Sequence, residues 1–303
     1  MYALADETGR ELRRYQNGCT NYYLSGLACA CKRLEAGVLW LLERERIPPE
    51  SVASVHIALA GIDTQADCER LEKGLAGTRL GGMPHYIEND LWIAFFSQTH
   101  ERHGAVSICG TGHNTGVLRR DGRRVCIRAS RYPLGNFGGG RMVCDMALNA
   151  AYMSSERTGE KTLLEERVAP FCGCESLAHL ARRVIESRYT YQYKFPLPRL
   201  VEDLAMDGDA AACAILRECG QRQANMTGRL LMHMGMQHEA LPIVLAGSLY
   251  CKGESSQMIA AYEDEIRSLC PNVYVQLLDR EPVEGALRCA VWRMARGGAV
   301  IEA

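Results

Sequence analysis

The chain has 303 residues, enough for one large domain or two of ordinary size, and its 47% hydrophobic and 23% charged residues are the balance of a globular protein. A formal net charge of −1 leaves no field to draw in nucleic acid or an anionic membrane, and no apolar run approaches the roughly 20 residues needed to span a bilayer. Asp6 and Glu7 stand where a secretory signal would be basic and then apolar, so a cytoplasmic protein with reduced thiols is expected.

In chain order, Met1 to Tyr15 reads as a β-hairpin turning at Asp6–Gly9. Asn21 to about Arg46 is expected to be helical, with Leu24, Leu27, Leu34, Val38 and Leu41 near 3.6 spacing and Pro48-Pro49 as a stop. Val52 to Ala60 reads as strand, Ala66 to Leu75 as helix, His85 to Ile87 as strand and Leu91 to Thr99 as helix. This alternation predicts a largely parallel sheet covered by helices. Asp121-Gly122 between arginine pairs predicts a solvated hairpin tip. Met142 to about Ile185 and Ala205 to about Met236 read as helical, the second with Met226, Met232, Met234 and Met236 expected as core filler. Alternation then returns, with strands at Leu241–Ala246 and Val273–Leu278 and helices at Gln257–Leu269 and Val283–Ala295.

The 14 cysteines show no pairing at metal-site spacing. Cys109, Cys126, Cys213, Cys270 and Cys289 sit in apolar runs, where a free cysteine acts as a small hydrophobe, so no metal centre is expected from them.

Chemistry concentrates at Ala105–Asn114, where a strand-like run ends in Gly110-Thr111-Gly112. Glycines allow successive backbone N–H groups to converge as an anion-binding nest, and Thr111 adds a hydroxyl. Twenty residues earlier, Asp90 sits at a strand-to-helix junction, and a carboxylate beside a phosphate loop suits phosphoryl transfer. A plain hairpin turn is the alternative reading of the glycines. Asn21 reads also as a helix cap, Asp63 is expected to be one, and His113 reads as an exposed turn residue.

Taken together, Asn17–Asn21, Leu59-Ala-Gly-Ile-Asp63, Asn89-Asp90, Ser107–Gly112 with Asn114, Leu245-Ala-Gly-Ser-Leu249 and Pro282–Ala286 resemble, in this order, the motifs of the BadF/BadG/BcrA/BcrD ATPase family and its N-acetylglucosamine kinases. That family belongs to the superfamily of sugar kinases, actin and heat-shock chaperones. The resemblance implies an α/β, two-lobe, ribonuclease-H-like fold with a helical insert. Its lobes would be residues 1–101, on the sugar side, and residues 102–286, on the nucleotide side and carrying the insert at about 142–236. The last helix, about 287–303, would pack back on the first lobe. It further implies ATP-dependent phosphorylation of an amino sugar with Mg²⁺, and it allows a homodimer. Asp90 would be the general base. Gly110, Thr111, Gly112 and Asn114 would hold phosphate, Gly247 and Ser248 the adenosine. Asn21, Gly61, Asp63, Asn89 and Asn136 would contact the sugar.

Two departures stand out. The family's opening strand and first phosphate motif have no counterpart after Met1, and a start codon placed too late is the expected reason. The family's Gly-Asp-Glu-Gly-Ser loop is here Gly135-Asn-Phe-Gly-Gly139, and its preceding Gly-Trp is replaced by Ala129-Ser130-Arg131. Asn136 is uncharged and holds a hydroxyl pair less strongly than Asp. These departures keep open a sugar sensor or scaffold on a kinase fold. The cysteine count keeps open an iron–sulfur ATPase that activates an acyl-CoA dehydratase or reductase, although Cys109 is expected inside a strand and Cys144 on a helix.

Overall fold

The computed structural model describes residues 1–128, 135–187, 196–253 and 256–295. The chain forms two compact units, one of Met1–Val106, Leu118–Arg128 and Leu278–Ala303, the other of Ser107–Val117 and Ala129–Leu277.

The first unit opens with the expected hairpin: β1 (Tyr2–Ala5) pairs antiparallel with β2 (Glu11–Tyr15). Asp6 Oδ1 accepts from the N–H of Thr8 and of Arg10, closing the turn. The helix expected from Asn21 to Arg46 is two helices, α1 (Tyr22–Ser25) and α2 (Leu27–Glu45). The break is Gly26, whose φ of 80° takes the chain out of the helix while its N–H still caps Tyr22 O. The inner face of α2 buries Ala30, Leu34, Leu41 and Leu42. Next, β3 (Val55–Leu59) and β4 (His85–Asn89) run parallel, in register from Val55↔His85 to Leu59↔Asn89, joined through α3 (Gln65–Leu75). Leu71 and Leu75 of α3 pack with Ile57, Leu59 and Ile87 in one core cluster. α4 (Asp90–Gln98) leaves β4 without a linker, and α12 (Pro282–Ala295) lies against it. The approach depends on Gly285, where an added Cβ would stand 2.0 Å from Ile93 O.

The strands of this unit do not join into one sheet: β1–β2 and β3–β4 are separate pairs among the described residues. A cavity of about 770 Å³ is lined by Tyr2–Ala5 and Val55–Leu59 without a gap, by Leu34 and Val38 of α2, and by Val283 and Leu287 of α12. Consecutive lining means that β1 and β3 turn their edges, rather than alternate side chains, to this space.

In the second unit, β5 (Gly104–Cys109, entering from the first), β6 (His113–Leu118), β8 (Pro242–Ala246) and β9 (Tyr274–Leu277) run in the sheet order β6-β5-β8-β9, with β8 and β9 parallel. All five residues of β8 are buried, as its continuous apolar run requires of a strand covered on both faces. Around the strands lie α5 (Gly139–Ser155), α6 (Leu164–Phe171), α7 (Leu177–Glu186), α8 (Leu197–Met206), α9 (Ala210–His233), α10 (Ser248–Cys251) and α11 (Gln257–Leu269). Asp209 caps α9 through Ala212 N and also accepts from Thr162 Oγ1, tying α9 to the start of α6. Back in the first unit, the Asp121-Gly122 turn closes with Gly122 N on Arg119 O and precedes β7 (Arg124–Cys126).

Two expectations change. His113 is not an exposed turn residue; it is 2% exposed, opens β6, and its Nε2 lies 3.0 Å from Ser107 Oγ. Burial lowers its pKa to about 3 and keeps it neutral. Of the four methionines, Met236 is fully buried but Met232 is 49% exposed, because it falls on the outer side of the last turn of α9. As expected, Cys109 lies in a strand and Cys144 on a helix, and both are buried. Ala129, Ser130 and Arg131, and the end of the 287–303 segment beyond residue 295, lie outside the described residues.

Candidate active site

In the first unit the site grows from the carboxyl ends of β3 and β4. Asn89 ends β4 and caps α4: its side-chain oxygen accepts from Leu91 N at 2.9 Å, and its amide nitrogen donates to Ile62 O at 3.1 Å and to Asp63 Oδ1 at 2.8 Å. Both amide protons are thus used within the protein, and they hold Asp63 in place. Asp90, the next residue, is raised to about 6 by its burial and then by the charge of Asp63. A carboxylate at about 6 is ionised at neutral pH yet basic enough to take a proton in a transition state.

Asp63 does not cap a helix. That role belongs to Thr64, whose hydroxyl accepts from Asp67 N while Asp67 Oδ2 accepts from Thr64 N at 2.9 Å, a reciprocal capping box at the start of α3. Asp67 Oδ2 also accepts from Asp63 N at 3.2 Å, so the box fixes the loop that carries Asp63. Burial pushes the Asp67 carboxyl up, but bonds from Thr64, Tyr22 and Tyr23 bring it below the usual carboxylate range. Asn21 caps α1 through Tyr23 N at 3.0 Å, and its amide nitrogen is left unpartnered among the described residues. Gly61, at φ +90°, turns the chain from β3 toward Asp63, and Asn21 Oδ1 lies 3.7 Å from where its Cβ would be.

The second unit holds a cradle of three glycine segments. Gly110 N donates to Gly112 O at 2.9 Å, closing the turn. The start of α5 then covers the carbonyl side, with Gly140 N on Gly110 O at 2.8 Å and Arg141 N on Thr111 O at 3.1 Å. Among the described residues, the N–H groups of Thr111 and Gly112 have no protein partner; both residues are exposed, beside the N-terminus of a 17-residue helix. That combination suits an anion. A Cβ on Gly139 would stand 2.4 Å from Gly112 C, and one on Gly247 2.4 Å from Cys109 O. Gly247, at φ +97°, also caps α10, whose first residue Ser248 is exposed. Asn136 donates to His113 O at 3.0 Å. The side-chain oxygens of Asn136 and Asn114 are buried without a hydrogen-bond partner, so each is an acceptor for a water or a ligand hydroxyl.

Sequence reasoning missed the capping box and the Tyr22–Tyr23 pair, although Thr64-Gln-Ala-Asp67 carries the box pattern openly. It also missed the contacts of Gly139 and Gly247, which no local pattern announces. Among the described residues, one group of three metal-ligating side chains stands together: His56, Glu88 and Cys289. Both Glu88 oxygens are occupied there, by His56 Nε2 at 2.7 Å and Arg124 Nη1 at 2.8 Å. The Arg124 cation already supplies the charge that a metal would bring.

No family model matches the chain. It is similar to the N-acetylmuramic acid/N-acetylglucosamine kinase of Clostridium acetobutylicum, with 26% identity over 201 residues, 66% of this chain. The match spans 65% of that protein's own length. Among solved structures, a candidate N-acetylglucosamine kinase from Porphyromonas gingivalis superposes with a TM-score of 0.66 at 17% identity, over 97% of this chain and 94% of that one. A ROK family glucokinase from Streptomyces griseus, in complex with glucose and AMPPNP, superposes with a TM-score of 0.58 at 15% identity, over 95% and 94%. The chain therefore has the α/β fold of the sugar kinases and actin-like ATPases.

Proposed function

We propose that the protein is an ATP-dependent kinase of an amino sugar, N-acetylglucosamine or a related sugar, and a member of the BadF/BadG/BcrA/BcrD family. The observation that carries this reading is Asp90: a carboxyl raised to about 6, at the end of a parallel strand, beside a second carboxylate held by Asn89. The Clostridium relative and the shared fold support it.

In this mechanism Asp90 accepts the proton of a sugar hydroxyl as that oxygen forms a bond to the γ-phosphorus of ATP and the bond to ADP breaks. General-base assistance of this kind contributes roughly 10²–10⁴-fold. The free N–H groups of Thr111 and Gly112, with the Thr111 hydroxyl, take phosphate oxygens, and Gly247 and Ser248 lie against the adenosine. Mg²⁺ would neutralise phosphate charge while keeping most of its waters, and Asn114 and Asn136 offer the acceptors that such waters need. Asn21 and the Gly61–Asp63 loop receive the sugar.

The test is transfer of labelled γ-phosphate from ATP–Mg²⁺ to N-acetylglucosamine and to N-acetylmuramic acid. Label on either sugar supports the reading; ATP hydrolysis indifferent to sugar overturns it. Asp90→Asn should lose turnover by at least about 10²-fold while keeping nucleotide binding. The unjoined strand pairs of the first unit favour one other reading, a sugar binder without turnover. Calorimetric binding of sugar, with none of ATP–Mg²⁺, would select it.

A further inference from the structure

Tyr22 and Tyr23 are consecutive, yet their situations differ. Tyr22 is 3% exposed, and its hydroxyl donates to Asp67 Oδ1 at 2.5 Å. Tyr23 is 63% exposed, and its hydroxyl donates to the same oxygen at 2.9 Å. The buried tyrosine already anchors α1 to the capping box of α3, so the second anchor adds little to the fold. What it does is hold the outer ring still. The Tyr23 ring stacks on Tyr22 at 4.3 Å between centroids, and its Cδ2 lies 2.9 Å from where a Cβ of Gly61 would be. An aromatic ring fixed by a stack, a hydroxyl tether and a glycine, and open to solvent, is a preorganised apolar surface that costs little entropy to use. It sits on Gly61, two residues before Asp63, and follows the Asn21 cap.

We infer that Tyr23 is a substrate-binding residue of this site, a platform for the C–H face of a pyranose ring. The inference rests on the sugar-kinase reading and deepens it. A sugar presents hydroxyls around its rim and C–H bonds across its faces; the rim suits Asn21 and Asp63, the face suits Tyr23. Aromatic contacts of this size correspond to about three- to tenfold in affinity.

The experiment is calorimetric titration of the full chain with N-acetylglucosamine, for the wild type, Tyr23→Phe, Tyr23→Leu and Tyr23→Ala, with thermal melts confirming that each folds. The expected result is affinity within about twofold for Tyr23→Phe and a loss of about three- to tenfold for Tyr23→Leu and Tyr23→Ala, with AMPPNP binding unchanged. All three variants lose the tether to Asp67, so equal weakening in all three would assign Tyr23 to anchoring and overturn the platform. Wild-type affinity in Tyr23→Ala would overturn it as well. A wild type that binds no sugar overturns the kinase reading itself, a distinct result.

Discussion

Under the proposed reading, the two units would serve phosphoryl transfer with different materials. The first uses side-chain charge: Asp90 and Asp63 are held near one another by the amide of Asn89 and by a capping box, and one of them is raised to about 6. The second uses backbone: two free N–H groups in a glycine turn whose neighbours, Gly139 and Gly247, have no room for a side chain. Charge can be tuned by pH and removed by an isosteric substitution. A backbone donor can be removed only by disturbing the chain that carries it. The proposed base therefore responds to solution conditions, and the cradle only to steric change.

This contrast can be broken at several points. The largest effect is expected at Gly247→Ala, because its Cβ would meet Cys109 O at 2.4 Å and its φ of +97° strains any side chain. A destabilisation of roughly 3 kcal/mol or more, read by urea unfolding, should accompany loss of AMPPNP binding. Next is Asp90→Asn, which should stabilise the protein. The folded carboxyl is raised from 3.8 to about 6, so the folded state holds its proton more tightly than the unfolded state does. Its contribution is present below pH 4 and is lost as pH rises through 6. Wild type should lose on the order of 2 kcal/mol between pH 4 and pH 7.5 relative to Asp90→Asn in parallel urea titrations. A gain in stability with a loss of turnover would mark Asp90 as a strained functional group; equal pH curves would remove that reading. Asp63→Asn tests the charge coupling alone: the acid limb of kcat/KM, expected near pH 6, should move down toward the ordinary carboxylate range, while an unmoved limb would leave burial as the sole cause. The smallest effect belongs to Thr111→Val, which deletes a hydroxyl but keeps both N–H donors. ATP affinity should fall about tenfold or less, and a far larger loss would mean that the side chain rather than the backbone holds the phosphate.

The fold was legible where periodicity was strong. The hairpin at Met1–Tyr15, the buried run of β8 and α11 all follow from local pattern. The Gly110-Thr111-Gly112 turn and the strand-to-helix junction at Asp90 were legible for the same reason: their residue types are tied to local backbone shape. The misses share another cause. His113 reads as polar and exposed until Ser107, six residues earlier in a neighbouring strand, supplies its partner. Asp63 reads as a cap until the box between Thr64 and Asp67 takes the role one residue later. Gly139 and Gly247 are glycines because segments 27 and 138 residues from the turn meet it, at Gly112 and Cys109, and no window of sequence contains such a meeting.

The cavity bordered by β1 and β3 has a consequence for how the first unit moves. The inner strands β5 and β8 are clamped on both sides, so opening either one breaks two ladders at once. β1 and β3 each answer to a single partner, and each can peel away at the cost of one ladder. The structure thus has a seam through the unit that carries Asp90, which itself lines the cavity. Native-state opening should begin along that seam, at low free energy and ahead of global unfolding, so that the proposed base lies on the part of the molecule that breathes first.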